Sequence, residues 1–294
     1  MNEGLPPTAP KVHVIKPAAE PARGEVSAVP PAQAPRPGPL HIDYATTRVV
    51  AGALARLQRT PGVVRADRSE LAETFKMLRS QVFQRLRADG HSLLAVTSPR
   101  AIEGKSLTAV NLALAIAAEL DSAVLLVDAD LSGRGLQTLF GLEGQPGLSE
   151  HLSAGTPIPE LLVNPGVERF VLLPAGGGGT LQSAELLGTR AARHLIQEMK
   201  QRYSDRYVIV DLPPLLDTAD ALAFLPQADT TLLVVQEHST SIADMESASE
   251  LLAPFNLLGA VITKATNATK ARQKPVDERR PSRWRRLFGG YAGK

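Results

Sequence analysis

Gly104-Lys105-Ser106 follows a short apolar run, Ser92 to Val96. It precedes Asn111, Leu112, Leu114, Ala115 and Ala118 at helical spacing. A strand, a tight turn and a helix in that order suit a nucleotide phosphate chain. Backbone N–H groups at a helix N-terminus face the anion, and the helix dipole favours it. Lys105 has the reach for β and γ phosphates, the Ser106 hydroxyl can ligate Mg²⁺, and Gly104 lets the backbone come close. The full pattern, G-x-x-x-x-G-K-[ST], asks for Gly at 99, where Pro99 stands. The tripeptide alone also fits an ordinary strand–turn–helix junction, and it is the flanking periodicity that favours a phosphate loop.

Two further segments end in acids. Ala123-Val-Leu-Leu-Val-Asp-Ala-Asp130 is a continuous apolar run closed by two carboxylates. Such a run suits a strand buried on both faces of a parallel sheet. Positions i and i+2 of a strand share a face, so Asp128 and Asp130 can point the same way. Paired carboxylates repel unless a cation is near, and Mg²⁺ held by a few carboxylates and substrate phosphates answers that need. Tyr207-Val-Ile-Val-Asp-Leu-Pro-Pro214 is again a strand closed by an acid, with Asp211 in the position of a Walker B carboxylate. Each acid taken singly also fits a turn or a helix cap. Three such strand ends in this order point to one carboxyl edge, where open parallel sheets bind their ligands.

The elements that must position these residues alternate along the chain. Strands are expected near 92–97, 123–128, 169–173, 206–211, 230–236 and 257–263, and helices near 105–120, 184–202, 217–225 and 241–254. The fold class this predicts is α/β: a P-loop NTPase fold, a mainly parallel sheet with helices on both faces. Upstream, Ser69 caps an expected amphipathic helix to Leu86, with Leu71, Phe75, Leu78, Val82 and Leu86 as its apolar stripe and Gly90 beyond its end. Val49 to Leu57 reads as a short helix stopped near Pro61-Gly62. Gly176-Gly-Gly-Gly179 lacks a following Lys-Ser/Thr and reads as a flexible connection.

Length and composition set the outer limits. The chain has 294 residues with 32 Lys+Arg against 30 Asp+Glu, a balance that suggests no nucleic-acid partner. It has no cysteine, which excludes disulfides, thiolate metal sites and thiol nucleophiles. The first residues lack a signal-peptide pattern, and no apolar run approaches the ~20 residues that span a bilayer. The expectation is a cytoplasmic protein, with any membrane contact peripheral or through a partner. Residues 1–40, rich in Pro and Ala, are expected to be a disordered tail. Residues 41–266 would form the P-loop domain, with a helical extension at 41–90, and 267–294 a basic C-terminal tail. In that tail Trp284, Leu287, Phe288 and Tyr291 fall at i, i+3, i+4 and i+7. That spacing suits an anionic membrane surface, and a solvated basic tail equally.

From about Glu70 to Ala265 the chain resembles the bacterial tyrosine autokinases of capsular and exopolysaccharide biosynthesis, P-loop proteins of the wider MinD/ParA type. The resemblance rests on Glu73-Thr-Phe-Lys-Met-Leu-Arg79, Glu103-Gly-Lys-Ser106 with Asn111-Leu-Ala113, and Val127-Asp-Ala-Asp-Leu131 with Leu139-Phe-Gly141. It continues through Leu173-Pro-Ala-Gly176, Ala184-Glu-Leu-Leu187 and Val210-Asp-Leu-Pro-Pro214 with Asp220-Ala221. It implies MgATP bound by Glu103, Gly104, Lys105, Ser106 and Leu107. It implies catalytic work by Lys105, Asp128 and Asp130, and a metal held by Ser106, Asp128 and Asp211. It also implies ring assembly through Glu73, Lys76 and Arg79, and autophosphorylation of a tail tyrosine, here Tyr291. The implied partner is a membrane protein that sets polysaccharide chain length, a co-polymerase.

The chain departs from the family pattern at several points. Ala101 and Ile102 replace Pro-Gly, Ser132 and Arg134 replace Arg and Pro, and Lys76 stands where Arg is common. Tyr291 stands alone where a cluster is usual. Three functions are therefore compared: a tyrosine autokinase, a MinD/ParA-like ATPase switch that controls assembly without phosphorylating tyrosine, and a scaffold that binds no ATP. Arg100 sits where MinD/ParA proteins carry a signature lysine; an exposed loop arginine is the simpler reading.

Overall fold

The computed structural model describes residues 13–15, 47–64, 69–132, 135–177, 183–201 and 206–264. Among them nine strands form one sheet: β1 (His13–Ile15), β2 (Arg48–Val49), β3 (Leu93–Thr97), β4 (Ala123–Asp128), β5 (Val163–Asn164), β6 (Phe170–Leu173), β7 (Arg206–Asp211), β8 (Thr230–Gln236) and β9 (Leu257–Thr263). Their order is β1-β9-β8-β3-β7-β4-β6-β5-β2. Neighbours from β9 to β6 run parallel, β1 on β9 and β5 on β6 antiparallel, and β2 parallel to β5. The six expected strands are β3, β4, β6, β7, β8 and β9, which together make the parallel body of the sheet.

The helices are α1 (Ala53–Arg59), α2 (Glu70–Asp89), α3 (Lys105–Ala117), α4 (Leu136–Phe140), α5 (Leu148–Ala154), α6 (Ile158–Leu161), α7 (Ser183–Leu187), α8 (Arg190–Gln201), α9 (Asp220–Phe224) and α10 (Ile242–Leu252). Strand residues alternate between two cores, as a doubly covered sheet requires. Leu94, Val96, Val124 and Leu126 pack with Phe75, Leu78, Val82 and Leu86 of α2 and Leu112 and Ile116 of α3. Leu93, Ala95, Leu125 and Val127 pack with Leu195, Ile196 and Met199 of α8, Phe224 of α9 and Met245 of α10. The whole predicted stripe of α2 is buried. The Ser69 hydroxyl accepts from Ala72 N at 3.2 Å, and Gly90 closes the helix at φ 67°.

Beyond the expected strands, His13–Ile15 adds a strand to the edge of β9. Val14 and Ile15 are β-branched, and an open sheet edge offers them a full ladder of hydrogen bonds. The single helix expected over 184–202 is two, α7 and α8. The chain breaks at Gly188-Thr189, where the Thr189 hydroxyl accepts from Ala192 N at 3.1 Å and donates to Leu186 O at 2.8 Å. The helix expected over 217–225 begins only at Asp220. The short helices α4 to α6 gave too few turns for a periodic signal. Of the glycine run, Gly176 and Gly177 are described; the Gly176 carbonyl accepts from Gln137 Nε2 at 2.7 Å. The basic tail with Trp284 and Tyr291, the loop residue Arg134, and Tyr44 and Tyr203 lie outside the described residues.

Asp229 fastens the amino end of the sheet. It accepts from Ser92 N at 3.0 Å, Leu93 N at 2.9 Å and Lys200 Nζ at 2.6 Å. Burial alone would raise its carboxyl, but Lys200 and the two amides outweigh that and hold it below the usual range. A carboxyl lowered by folding adds stability above its unfolded pKa of about 3.9 and loses it as pH falls through the folded value. Asp229→Asn is therefore expected to cost about 1–3 kcal/mol at pH 7. In urea unfolding, the gap from wild type should shrink toward pH 3.

Candidate active site

Three parallel strands bring the chemistry together at their carboxyl ends. Asp128 is the Cα partner of Asp211 across β4 and β7, and Val96 of β3 is the partner of Asp211 on its other side. Leu212 N donates to Val96 O at 2.9 Å and Ala129 N to Asp211 O at 3.0 Å, so both acidic loops leave the sheet in fixed register. From Thr97 the chain turns through residues 98–104 into α3. Gly104 makes the entry at φ 92°, a left-handed conformation that a side chain resists. The first intrahelical bond there runs from Thr108 N to Gly104 O at 2.9 Å. The amides of Lys105, Ser106 and Leu107 precede it and open toward an anion.

The side chains converge at this edge. Lys105 Nζ, buried, lies 3.0 Å from Asp130 Oδ2 and 3.7 Å from Asp211 Oδ1, and donates to Ser106 Oγ at 3.3 Å. Asp130 also accepts from Ser132 Oγ at 2.5 Å. Burial alone would raise the Asp130 carboxyl, but Lys105 and Ser132 hold it below its ordinary range. Asp128 is fully buried and accepts from Asp130 N at 3.2 Å and Gln137 N at 3.3 Å. Burial, then the charges of Asp211 and Asp130, push its carboxyl well above the usual value. Burial likewise raises Asp211, against the pull of Lys105.

Asp211 is the exposed nerve of this arrangement. It is fully buried, and neither of its carboxylate oxygens has a hydrogen-bond partner. A buried carboxylate without such bonds is costly, and Lys105 Nζ at 3.7 Å gives it charge compensation but leaves its oxygens free for a metal. The residues therefore fit the implied metal. Asp211, Asp128 and the Ser106 hydroxyl supply hard oxygen donors, and Mg²⁺ typically takes one or two carboxylates plus phosphate and water. Among the described residues no three acidic or histidine side chains already form a metal cage.

Side-chain ties from distant parts of the chain brace the loop. Arg100 Nε donates to Asp244 Oδ1 at 2.9 Å and Nη1 to Asp217 Oδ1 at 3.0 Å, while Ala101 N donates to Asp217 Oδ2 at 3.1 Å. Arg100, weighed above as an exposed loop residue, is half-exposed and tied down within its own chain. Glu103 is buried; its carboxylate accepts from Arg100 N at 3.0 Å and Thr240 Oγ1 at 2.5 Å, and its carbonyl from Thr263 Oγ1 at 2.9 Å. It is thus a structural tie of the loop, with its carboxylate turned to Thr240. Leu107 packs partly into the core, which leaves only its amide for a ligand.

Ile102 sits at φ 69° and is 91% exposed. A β-branched residue in that region costs about 1–2 kcal/mol, and this one recovers nothing by packing. Ile102→Gly is expected to stabilise the protein by up to about 1 kcal/mol, after the roughly 0.4–1 kcal/mol that glycine adds to unfolded-chain entropy. Thermal unfolding reads this directly, and a lower midpoint would contradict it.

On α2, Lys76 Nζ and Glu73 Oε1 form an exposed pair at 2.7 Å. Arg79 instead turns onto α3, donating to Ala115 O at 2.8 Å and pairing with Glu119 at 2.7 Å, where a cation complements the helix C-terminus.

Known proteins share this architecture. The ParA family, described as NUBPL iron-transfer P-loop NTPase, matches residues 91–263. The tyrosine-protein kinase YwqD of Bacillus subtilis is 32% identical over 211 residues, which cover 71% of this chain and 87% of that protein. The succinoglycan biosynthesis transport protein ExoP of Rhizobium meliloti is 32% identical over 234 residues; the match takes in 78% of this chain but only 29% of that relative's length. The kinase domain of the Escherichia coli tyrosine kinase ETK superposes with a TM-score of 0.60 at 26% identity, covering 76% of this chain and 91% of that domain. With a nucleotide-type phosphate loop facing two acidic strand ends, the chain belongs to the ParA-like P-loop NTPases and, within them, to the bacterial tyrosine-kinase family.

Proposed function

We propose that this domain is an ATP-dependent protein-tyrosine autokinase that regulates exopolysaccharide or capsule export. The observation that carries the reading is the meeting of Lys105, Asp128, Asp130 and Asp211 at one sheet edge, with neither oxygen of the buried Asp211 engaged in a hydrogen bond. The loop amides and Lys105 hold the triphosphate. Lys105 gives up Asp130 for the phosphate oxygens, which frees Asp130, the more accessible of the Walker A′ pair, to accept the tyrosine proton. The tyrosine oxygen bonds to the γ-phosphorus as the bond to ADP breaks. Ser106, Asp128 and Asp211 would hold Mg²⁺, which supplies charge neutralisation on the phosphates. Gln137 N and Asp130 N keep Asp128 oriented.

Tyr291 is the tail tyrosine offered to a neighbouring copy, and Glu73, Lys76 and Arg79 lie on the helix proposed to join copies into a ring. Among the described residues no helix is long and apolar enough to cross a membrane. The reading assigns membrane attachment to a chain-length-determining co-polymerase, with the Arg-rich tail as a second contact to anionic lipid. Support comes from the Rhizobium relative, named a transport protein for succinoglycan biosynthesis.

Incubation with MgATP should place phosphate on Tyr291, read by mass spectrometry. Tyr291→Phe should remove most phosphotyrosine while ATP binding stays unchanged. Phosphate release and ATP-dependent assembly with no phosphotyrosine, with or without the membrane partner, would select the MinD/ParA-like switch instead.

A further inference from the structure

The geometry points to Gly135 as the residue that keeps the acidic cluster open to its metal, an assignment that rests on the MgATP reading above. Gly135 stands immediately before α4, above the three carboxylates. A Cβ built on it would lie 3.5 Å from Asp128 Oδ1, 3.5 Å from Asp211 Oδ2 and 3.7 Å from Asp130 Cβ. These are ordinary contact distances, so a methyl group fits against the bare acids. It would sit equally close to one oxygen from each of the two strand-end acids, over the middle of the cluster. One of those oxygens belongs to the fully buried Asp211, which has no hydrogen-bond partner. A cation shared by these acids, together with the waters Mg²⁺ retains, needs the volume that the missing side chain leaves free.

The segment is also fixed from its other end. Two residues on, Gln137 N donates to Asp128 Oδ2 at 3.3 Å, and Gln137 Nε2 donates to Gly176 O at 2.7 Å. Gln137, two residues from Gly135, is therefore anchored to Asp128 and holds the start of α4 against the acids. Gly135 is thus a positioning residue for the metal: the side chain it lacks leaves room for a hydrated cation at the acids.

The test is Mn²⁺ binding to the ADP complex, followed by electron paramagnetic resonance, beside calorimetry of ADP without metal. Gly135→Ala should weaken Mn²⁺ by at least about tenfold, the scale of altered metal surroundings, while metal-free ADP affinity is retained. Mn²⁺ affinity within about twofold of wild type overturns the assignment, as does an equal loss of metal-free ADP binding, which would mark a general collapse of the site. In the wild-type protein, hydrogen exchange over residues 135–137 should slow when Mg²⁺ is added to the ADP complex. Unchanged exchange overturns the assignment even if the variant fails to fold. A wild-type protein that binds Mn²⁺·ADP with the expected loss in Gly135→Ala but forms no phosphotyrosine leaves this inference standing and removes the kinase reading.

Discussion

Lys105→Met is expected to weaken MgATP binding by at least about 100-fold, enough to take phosphotyrosine formation below detection. Two losses add. The ammonium that meets the phosphates is gone, and the acids that it partly neutralises are left facing the incoming triphosphate. The variant should also be less stable, by about 3 kcal/mol near neutral pH, because removing one partner of a buried pair leaves Asp130 and Asp211 without their cation. That penalty has a sign in pH. Lys105 holds Asp130 below the ordinary carboxylate range, so its stabilisation is present above pH of about 4 and disappears as the acid protonates. Unfolding of the two proteins should therefore converge in acid. Calorimetry showing unimpaired MgATP binding by Lys105→Met would remove the phosphate loop from the account altogether.

Asp211→Asn should move stability and function in opposite directions. The wild-type carboxylate is fully buried with no hydrogen bond to either oxygen. An amide of the same shape carries no charge to desolvate and relieves the repulsion from Asp128 and Asp130. The ligand-free variant is expected to gain about 1–3 kcal/mol. Phosphoryl transfer should fall by at least about 100-fold, with nucleotide binding losing its dependence on added Mg²⁺. Thermal unfolding with and without MgATP separates the effects: the variant should start higher and gain less. A variant less stable than wild type would show that the Lys105 charge offsets the burial of Asp211 in full, and the metal assignment would lose its support.

What the sequence made legible, and what it hid, follows from the range of the interactions involved. The six parallel strands announced themselves because each is an apolar run buried on both faces, and α2 because its stripe, cap and terminal glycine all agree. Lys105, Asp128, Asp130 and Asp211 were readable because a parallel sheet forces its strand ends to one edge. The ties of Arg100 to Asp217 and Asp244 were not, since they join residues more than 100 positions apart through common side-chain types. The side-chain partners of Glu103 were equally hidden: its carboxylate accepts from Thr240 and from the loop amide of Arg100. Gly135 was invisible because its part depends on an absent side chain measured against oxygens from two other segments. The helix expected over 184–202 failed for a local reason, the competition of a threonine hydroxyl for backbone partners at Thr189.

Both flanks of the sheet are closed by segments that precede residue 50: β1 along β9 and β2 along β5. A version trimmed to the nucleotide-binding core would bare two rows of unpaired amides and carbonyls at once. Self-association of such a trimmed protein would then report sticky flanks rather than the proposed ring assembly, so any oligomer-state measurement belongs on the chain with its amino-terminal stretch intact.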